Sequence, residues 1–126
     1  MTAEVQNSPA VQPEQKEAPA ETTSMEQIRI RPVADVYRSK QAVRLFLDLP
    51  GARDQDTEVE VHDGVLSVTA RVQRGEHEMR IYERSFRLDR HLDTEQIEAK
   101  LERGVLHLHL PFHEEAQPRR IEVKTA

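Results

Sequence analysis

From Ile28 onward, apolar residues recur at every second position. In Val43-Arg44-Leu45-Phe46-Leu47-Asp48-Leu49 the odd positions are apolar and the even ones mostly polar. On an extended chain that alternation sends one face to a core and the other to water. Pro50-Gly51 ends the run, because Pro lacks a ladder donor and Gly tolerates positive φ. Glu58-Val59-Glu60-Val61 repeats the pattern; Asp63-Gly64 follows, then Val65–Ala70. Asp-Gly between two alternating runs predicts a hairpin, with Leu66, Val68, Ala70 and Val72 on one face. Arg80–Leu88 reads as one or two further strand pieces, and Val105–Leu110 as a strand closed by Pro111. Gly51, Gly64, Gly75 and Gly104 all fall in candidate turns. Short strands separated by turns, with no βαβ unit, predict an all-β antiparallel sandwich.

One stretch supports two readings. Asp93-Thr94-Glu95-Gln96 has the form of a helix capping box, and Ile97 and Leu101 are four apart, as on a helix. Ile97, Ala99 and Leu101 also alternate, as on a strand, and the stretch is too short for periodicity to decide.

Residues 1–27 break the pattern. They have no aromatic residue and no apolar run, and they contain Pro9, Pro13 and Pro19. Five glutamates (Glu4, Glu14, Glu17, Glu21, Glu26) against Lys16 give this segment −4 of the chain's −5. Such a segment buries too little apolar surface to offset its ordering entropy, so it reads as a disordered polar arm. Residues 28–112 form the predicted sandwich, and 113–126 a flexible C-terminal extension.

Composition narrows the function. There is no cysteine, hence no disulfide framework or thiolate metal site, and a reducing, cytoplasmic location fits. No apolar run approaches the roughly 18 residues of a membrane span, and Met1-Thr2-Ala3-Glu4 does not open like a secretory signal. The overall charge is negative, and Arg119-Arg120 is too short a basic patch, so neither nucleic acid nor an anionic membrane is indicated. No phosphate-cradling glycine loop, nucleophile elbow or paired carboxylate site is visible, so ATP binding and catalysis have no support and no cofactor is expected. His107 and His109 lie on one face of a strand and could share a metal ion, with His62 and His113 as further donors. They also occupy the polar positions of an amphipathic strand, the ordinary solvated arrangement. Histidine titration leaves a pH effect open. Five aromatic residues in the whole chain predict modest stability in isolation and a gain from pairing with another copy.

Three sites carry a resemblance. Asp48-Leu49-Pro50-Gly51 follows an alternating strand; Ala99-Lys100-Leu101-Glu102-Arg103-Gly104-Val105-Leu106 runs into Leu108, Leu110 and Pro111; Ile121-Glu122-Val123 follows Pro118-Arg119-Arg120. Asp35-Val36-Tyr37, Asp63-Gly64-Val65-Leu66 and Arg84-Ser85-Phe86-Arg87-Leu88 agree in order and spacing. Over about residues 31–123 the chain resembles the small heat-shock protein family with its α-crystallin domain. Ala99, Gly104, Val105 and Leu106 match the family signature, and Ile121 and Val123 its C-terminal anchor. The resemblance implies an immunoglobulin-like sandwich, a strand over Ile97–Leu101, dimers and often larger oligomers.

It implies further that the anchor enters a groove between the strand of Val59 and Val61 and that of Ile97, Ala99 and Leu101. The two β-branched residues of Ile121-Glu122-Val123 point one way while Glu122 faces water, as in strand-edge recognition. The matching position gives Arg84 a place in a dimer interface, with Tyr82 and Phe86 beside it and a carboxylate partner expected. Two departures matter. The arm has no aromatic residue and no apolar run where relatives carry apolar or aromatic stretches, and only Gln73–Tyr82 stands where many bacterial and plant members have a long loop carrying a swapped strand. A swapped dimer and one paired through Met79–Leu88 both stay open. The implied function is ATP-independent holding of partly unfolded client proteins under stress, with later transfer to ATP-dependent refolding chaperones by analogy. The rival is a co-chaperone-like adaptor that binds specific folded partners.

Overall fold

The computed structural model describes residues 25–125. Its strands are β1 (Glu26–Ile30), β2 (Ala34–Arg38), β3 (Ala42–Asp48), β4 (Thr57–His62), β5 (Val65–Arg74), β6 (Glu78–Arg87), β7 (Glu98–Glu102) and β8 (Val105–Pro111). They form two four-stranded sheets, ordered β1-β6-β5-β4 and β2-β3-β8-β7. This is the expected immunoglobulin-like sandwich. The inward residues meet between the sheets: Leu45 and Leu47 of β3 lie opposite Leu108 and Leu106 of β8, and Leu66, Val68 and Ala70 of β5 face them. All seven are at most 3% exposed. Burying each such leucine contributes about 1.5–3 kcal/mol.

The predicted pieces in Arg80–Leu88 are one strand. β5 and β6 pair over ten residues each, from Val65 opposite Arg87 to Arg74 opposite Glu78, and only residues 75–77 connect them. Two other hairpins turn on adjacent residues with positive φ, Asp63 (51°) with Gly64 (74°) and Arg103 (53°) with Gly104 (78°). That is the two-residue type I′ arrangement, whose twist suits paired strands. Asp-Gly announces it in sequence; Arg-Gly does not. Gly104 also lies beneath the Pro50-Gly51 turn. Its carbonyl accepts from Leu49 N at 2.7 Å, and a Cβ there would stand 3.4 Å from Leu49 O and Pro50 Cα.

The stretch with two readings resolves into both elements. Thr94–Gln96 make a single 3-10 turn in which Asp93 accepts from Glu95 N; Ile97 is already extended, and β7 starts at Glu98. Pairing of β7 with β8 through five residues outweighs the one further turn that helix would have added.

β1 corrects a boundary. Glu26 and Gln27, placed in the polar arm above, begin this strand, and Glu26 N donates to His77 O at 2.7 Å. Strand addition uses backbone groups, so polar side chains do not prevent it. Residues 1–24 of the arm lie outside the described residues. β1 runs parallel to β6, with Glu26 opposite Glu78 and Ile30 opposite Tyr82; the other strand pairs are antiparallel. Arg31, Pro32 and Val33 then carry the chain into the other sheet. So short a link puts β1 and β2 on one flank, and leaves β4 and β7, the remaining edges, together on the other.

Candidate functional site

The β4–β7 flank is open. Among the described residues β4 pairs only with β5, and β7 only with β8, so both present bare backbone to solvent. Val59 is half-buried against the core and Val61 is 39% exposed. From the other sheet, Ile97 and Leu101 pack half-buried on the core, and Ala99 is exposed. The topology thus brings Val59, Val61, Ile97, Ala99 and Leu101 to one flank. The outward neighbours on these strands are charged: Glu58 and Glu60 on β4, and Glu98, Lys100 and Glu102 on β7, all exposed. Sequence reading passed over these five, although their alternation with the apolar residues marked them as rims.

The C-terminal extension leaves the sandwich at buried Phe112, which bridges to Leu92. A 3-10 turn over Glu114–Ala116 follows, and Gln117 Nε2 donates back to Phe112 O at 3.1 Å. Beyond it the chain forms no regular structure, and Ile121 and Val123 are 77% and 92% exposed. The tail therefore does not occupy its own molecule's groove.

The β1–β2 flank differs. β1 covers β6 from Glu78 to Tyr82 and leaves Glu83–Arg87 free. Tyr82, expected beside Arg84 in an interface, is buried within the subunit. It faces the core at 4% exposure, because it shares a parity with Arg84 and Phe86 opposite the inward face of β5. Phe86 packs half-buried on the core. Arg84 also points inward: Nη1 donates to Pro32 O at 2.9 Å, and the guanidinium lies 5.2 Å from the Phe86 ring centroid. Among the described residues its Nε is buried without a partner and no carboxylate bonds to it. An inward charge at an uncovered edge discourages strand addition there. Beside it Val33, Val36 and Tyr37 are 66%, 58% and 59% exposed. The three-residue β5–β6 connection is too short to export a swapped strand.

His107 and His109 lie on the outer face of the second sheet. Tyr37, Phe46 and His107 form an edge-to-face row with centroid separations of 5.6 and 4.9 Å, and His109 stands opposite Glu98. Among the described residues no three His, Asp, Glu or Cys side chains group to hold a metal. His62 pairs with Asp63 at 3.3 Å and His113 with Asp93 at 3.7 Å. Near the tail's exit, the Asp89 carboxylate accepts from His91 N at 2.8 Å. That bond, helped by the His91 ring and Arg38, holds its pKa below the ordinary value. No helix among the described residues is long and apolar enough to cross a membrane.

A two-sheet immunoglobulin-like sandwich with one open flank and an extension carrying exposed Ile121 and Val123 defines a class of β-sandwich domains. The Hsp20/alpha crystallin family profile matches residues 35–124, and the chain belongs to that family. It is 32% identical over 101 residues to 18 kDa antigen 1 of Mycobacterium avium, covering 73% of this chain and 69% of that one. It is 31% identical over 107 residues to the 18 kDa heat shock protein of Streptomyces albus G, covering 74% and 75%. Among solved structures it is similar to a small heat-shock protein from Xylella fastidiosa, described as having a distinct high order structure. The TM-score is 0.59 at 28% identity, with coverage of 75% and 96%. The family is one of non-enzymatic chaperones whose members typically form oligomers and bind unfolded proteins.

Proposed function

We propose that this protein is an ATP-independent holdase, which binds partly unfolded proteins under stress and limits their aggregation. The observation that supports this most is apolar strand-edge surface left open on the sandwich, at Val61 on the β4–β7 flank. Such surface attracts exposed apolar segments at about 25 cal/mol per Å² buried, with no directional chemistry required. Two copies pair through the β1–β2 flank by packing exposed Val33, Val36 and Tyr37 together, side chain against side chain, without strand addition at the β6 edge that Arg84 blunts. Larger assemblies form when Ile121 and Val123 of one copy enter the β4–β7 groove of another. Tail release then uncovers the groove for clients, which pass on to ATP-dependent refolding chaperones in the cytoplasm.

The test is light scattering from a heat-unfolding client, without ATP, at rising ratios of this protein. Suppression near stoichiometric ratios is expected. Unchanged aggregation at every ratio, with the protein itself folded at that temperature, removes the holdase reading. A second reading, an adaptor for specific folded partners, is favoured by residues 1–24, which have no aromatic residue and no apolar run. Pull-downs from unstressed and heated lysate separate the two: a holdase gains many proteins on heating, and an adaptor keeps a few.

A further inference from the structure

The groove reading leaves open what sets the tail's register. An apolar slot alone accepts two β-branched residues at several positions, whereas one assembly needs one. The edge strand of the groove answers this with charge. β7 reads Glu98-Ala99-Lys100-Leu101-Glu102 and the tail reads Arg120-Ile121-Glu122-Val123-Lys124. In β7, Ala99 and Leu101 belong to the apolar set, and Glu98, Lys100 and Glu102 point outward in the order minus, plus, minus. In an extended tail Ile121 and Val123 point to one side, and Arg120, Glu122 and Lys124 to the other in the order plus, minus, plus. Both rows have the same two-residue spacing.

We infer that the tail of a second copy adds to the free edge of β7 with Glu122 opposite Lys100, and that this charge row fixes its register. The inference rests on the groove reading above. In that register all three outward pairs are of opposite sign and Ile121 and Val123 stand beside Ala99 and Leu101. The pattern is symmetric about Lys100, so it selects the register and not the strand direction. A slip by one residue turns Ile121 and Val123 outward. A slip by two keeps them inward and places Glu122 opposite Glu98 or Glu102, a like-charge cross-strand pair, which is unfavourable. The β4 rim adds Glu58 and Glu60, so the flank as a whole is acidic while the tail also carries Arg119.

Two facts make the row available. Among the described residues Lys100 is held only by Glu102, at 4.0 Å, with the two side chains 73% and 52% exposed. Ile121 and Val123 stand free of their own sandwich. The same charges make docking sensitive to salt, because screening shortens from about 10 Å at 0.1 M to about 3 Å at 1 M.

The experiment uses a fluorescent peptide of residues 113–126 and the full chain carrying Ile121→Ala and Val123→Ala, so that its own tail does not compete. Native peptide should bind at 50 mM salt. Lys100→Glu in the receptor, or Glu122→Lys in the peptide, should each weaken binding about fivefold, because one favourable cross-strand pair becomes a like-charge pair. The two changes together should restore it. Lys100 is exposed, and a circular dichroism melt confirms that the receptor variant folds. If native peptide binds but single changes leave its affinity unaltered, or the double change does not restore it, the charge row is overturned and the groove reading stands. If native peptide does not bind, the groove reading fails and the charge row with it.

Discussion

On the β1–β2 flank the chain covers part of its own edge. β1 lies along the first half of β6, and Arg84 turns a charge inward over the second half. On the β4–β7 flank nothing among the described residues covers either strand, and half-buried Val59, Ile97 and Leu101 sit between two rows of exposed charge. Exposed strand edges are aggregation hazards that proteins usually blunt. Here one flank is blunted within the subunit. The other is left for something that can come and go. On the function proposed above, the first flank makes the contact between two copies through its exposed Val33, Val36 and Tyr37, not through the blunted β6 edge, and the second makes the reversible contact of the tail. A chaperone of this kind needs both, since its binding surface must be concealed at rest and uncovered on demand.

The most severe way to break the comparison is to remove what both flanks share. Leu108, 1% exposed, lies opposite Leu45 and Ala99 at the centre of the second sheet. Leu108→Ala should cost about 3 kcal/mol, read as a fall in the denaturation midpoint, and both self-contacts should weaken together. An unchanged midpoint would show that Leu108 is not in a close-packed core.

The flanks should then separate under surface changes. Ile121→Ala with Val123→Ala should reduce any assembly larger than a dimer to dimers, with melting unchanged. Val36→Asp, on an exposed residue of β2, should convert dimers to monomers without unfolding them. Sedimentation velocity reads both. If the tail variant yields monomers or the Val36 variant yields only dimers, the assignment of contacts to flanks is reversed.

Smaller effects test the two hairpins that border the open flank. Gly64 and Gly104 both have positive φ, so alanine should cost about 1–2 kcal/mol at each. Gly104→Ala should cost more than Gly64→Ala, because its Cβ meets the Leu49–Pro50 backbone whereas that of Gly64 meets nothing within 4 Å. Equal losses in urea melts would show that the Pro50-Gly51 turn yields freely.

Most of the sandwich was legible because each core strand pairs with a neighbour close in sequence and keeps strict alternation. β1 was legible only from Ile28, since Glu26 and Gln27 are polar and its partner begins about fifty residues later; backbone pairing at those two residues leaves no side-chain pattern. Arg84 was legible only in part. Its parity with Phe86 already placed it on the inward side of β6, but no periodicity reveals that Pro32 O would be its acceptor. The groove residues came from the family resemblance; alternation alone put Val59 with Val61, and Ile97 with Ala99 and Leu101, on one face of each segment. That they share a flank depends on the short β1–β2 link, which sequence could not place. The capping pattern at Asp93 was real, yet it caps a single turn because pairing of β7 with β8 begins immediately afterwards.

The smallest effect is one of acidity at the tail's exit. Asp89 accepts from His91 N and from the His91 ring at 2.9 Å, and forms an ion pair with Arg38 at 4.0 Å; its pKa is lowered, chiefly by the first of these bonds. A carboxylate whose folded pKa lies below its unfolded one gives stability that is complete above the unfolded value, about 4, and is lost as the pH falls through the folded value. Asp89→Asn should therefore destabilise the sandwich slightly at neutral pH and flatten the steepest part of its acid melt below about pH 4. Arg38 also stacks on Phe112, where the tail departs, so loosening at acid pH should appear first as proteolytic sensitivity beyond His113. An acid melt identical to that of the unmodified chain would show that the Asp89–His91 turn is as well formed in the unfolded chain as in the folded one.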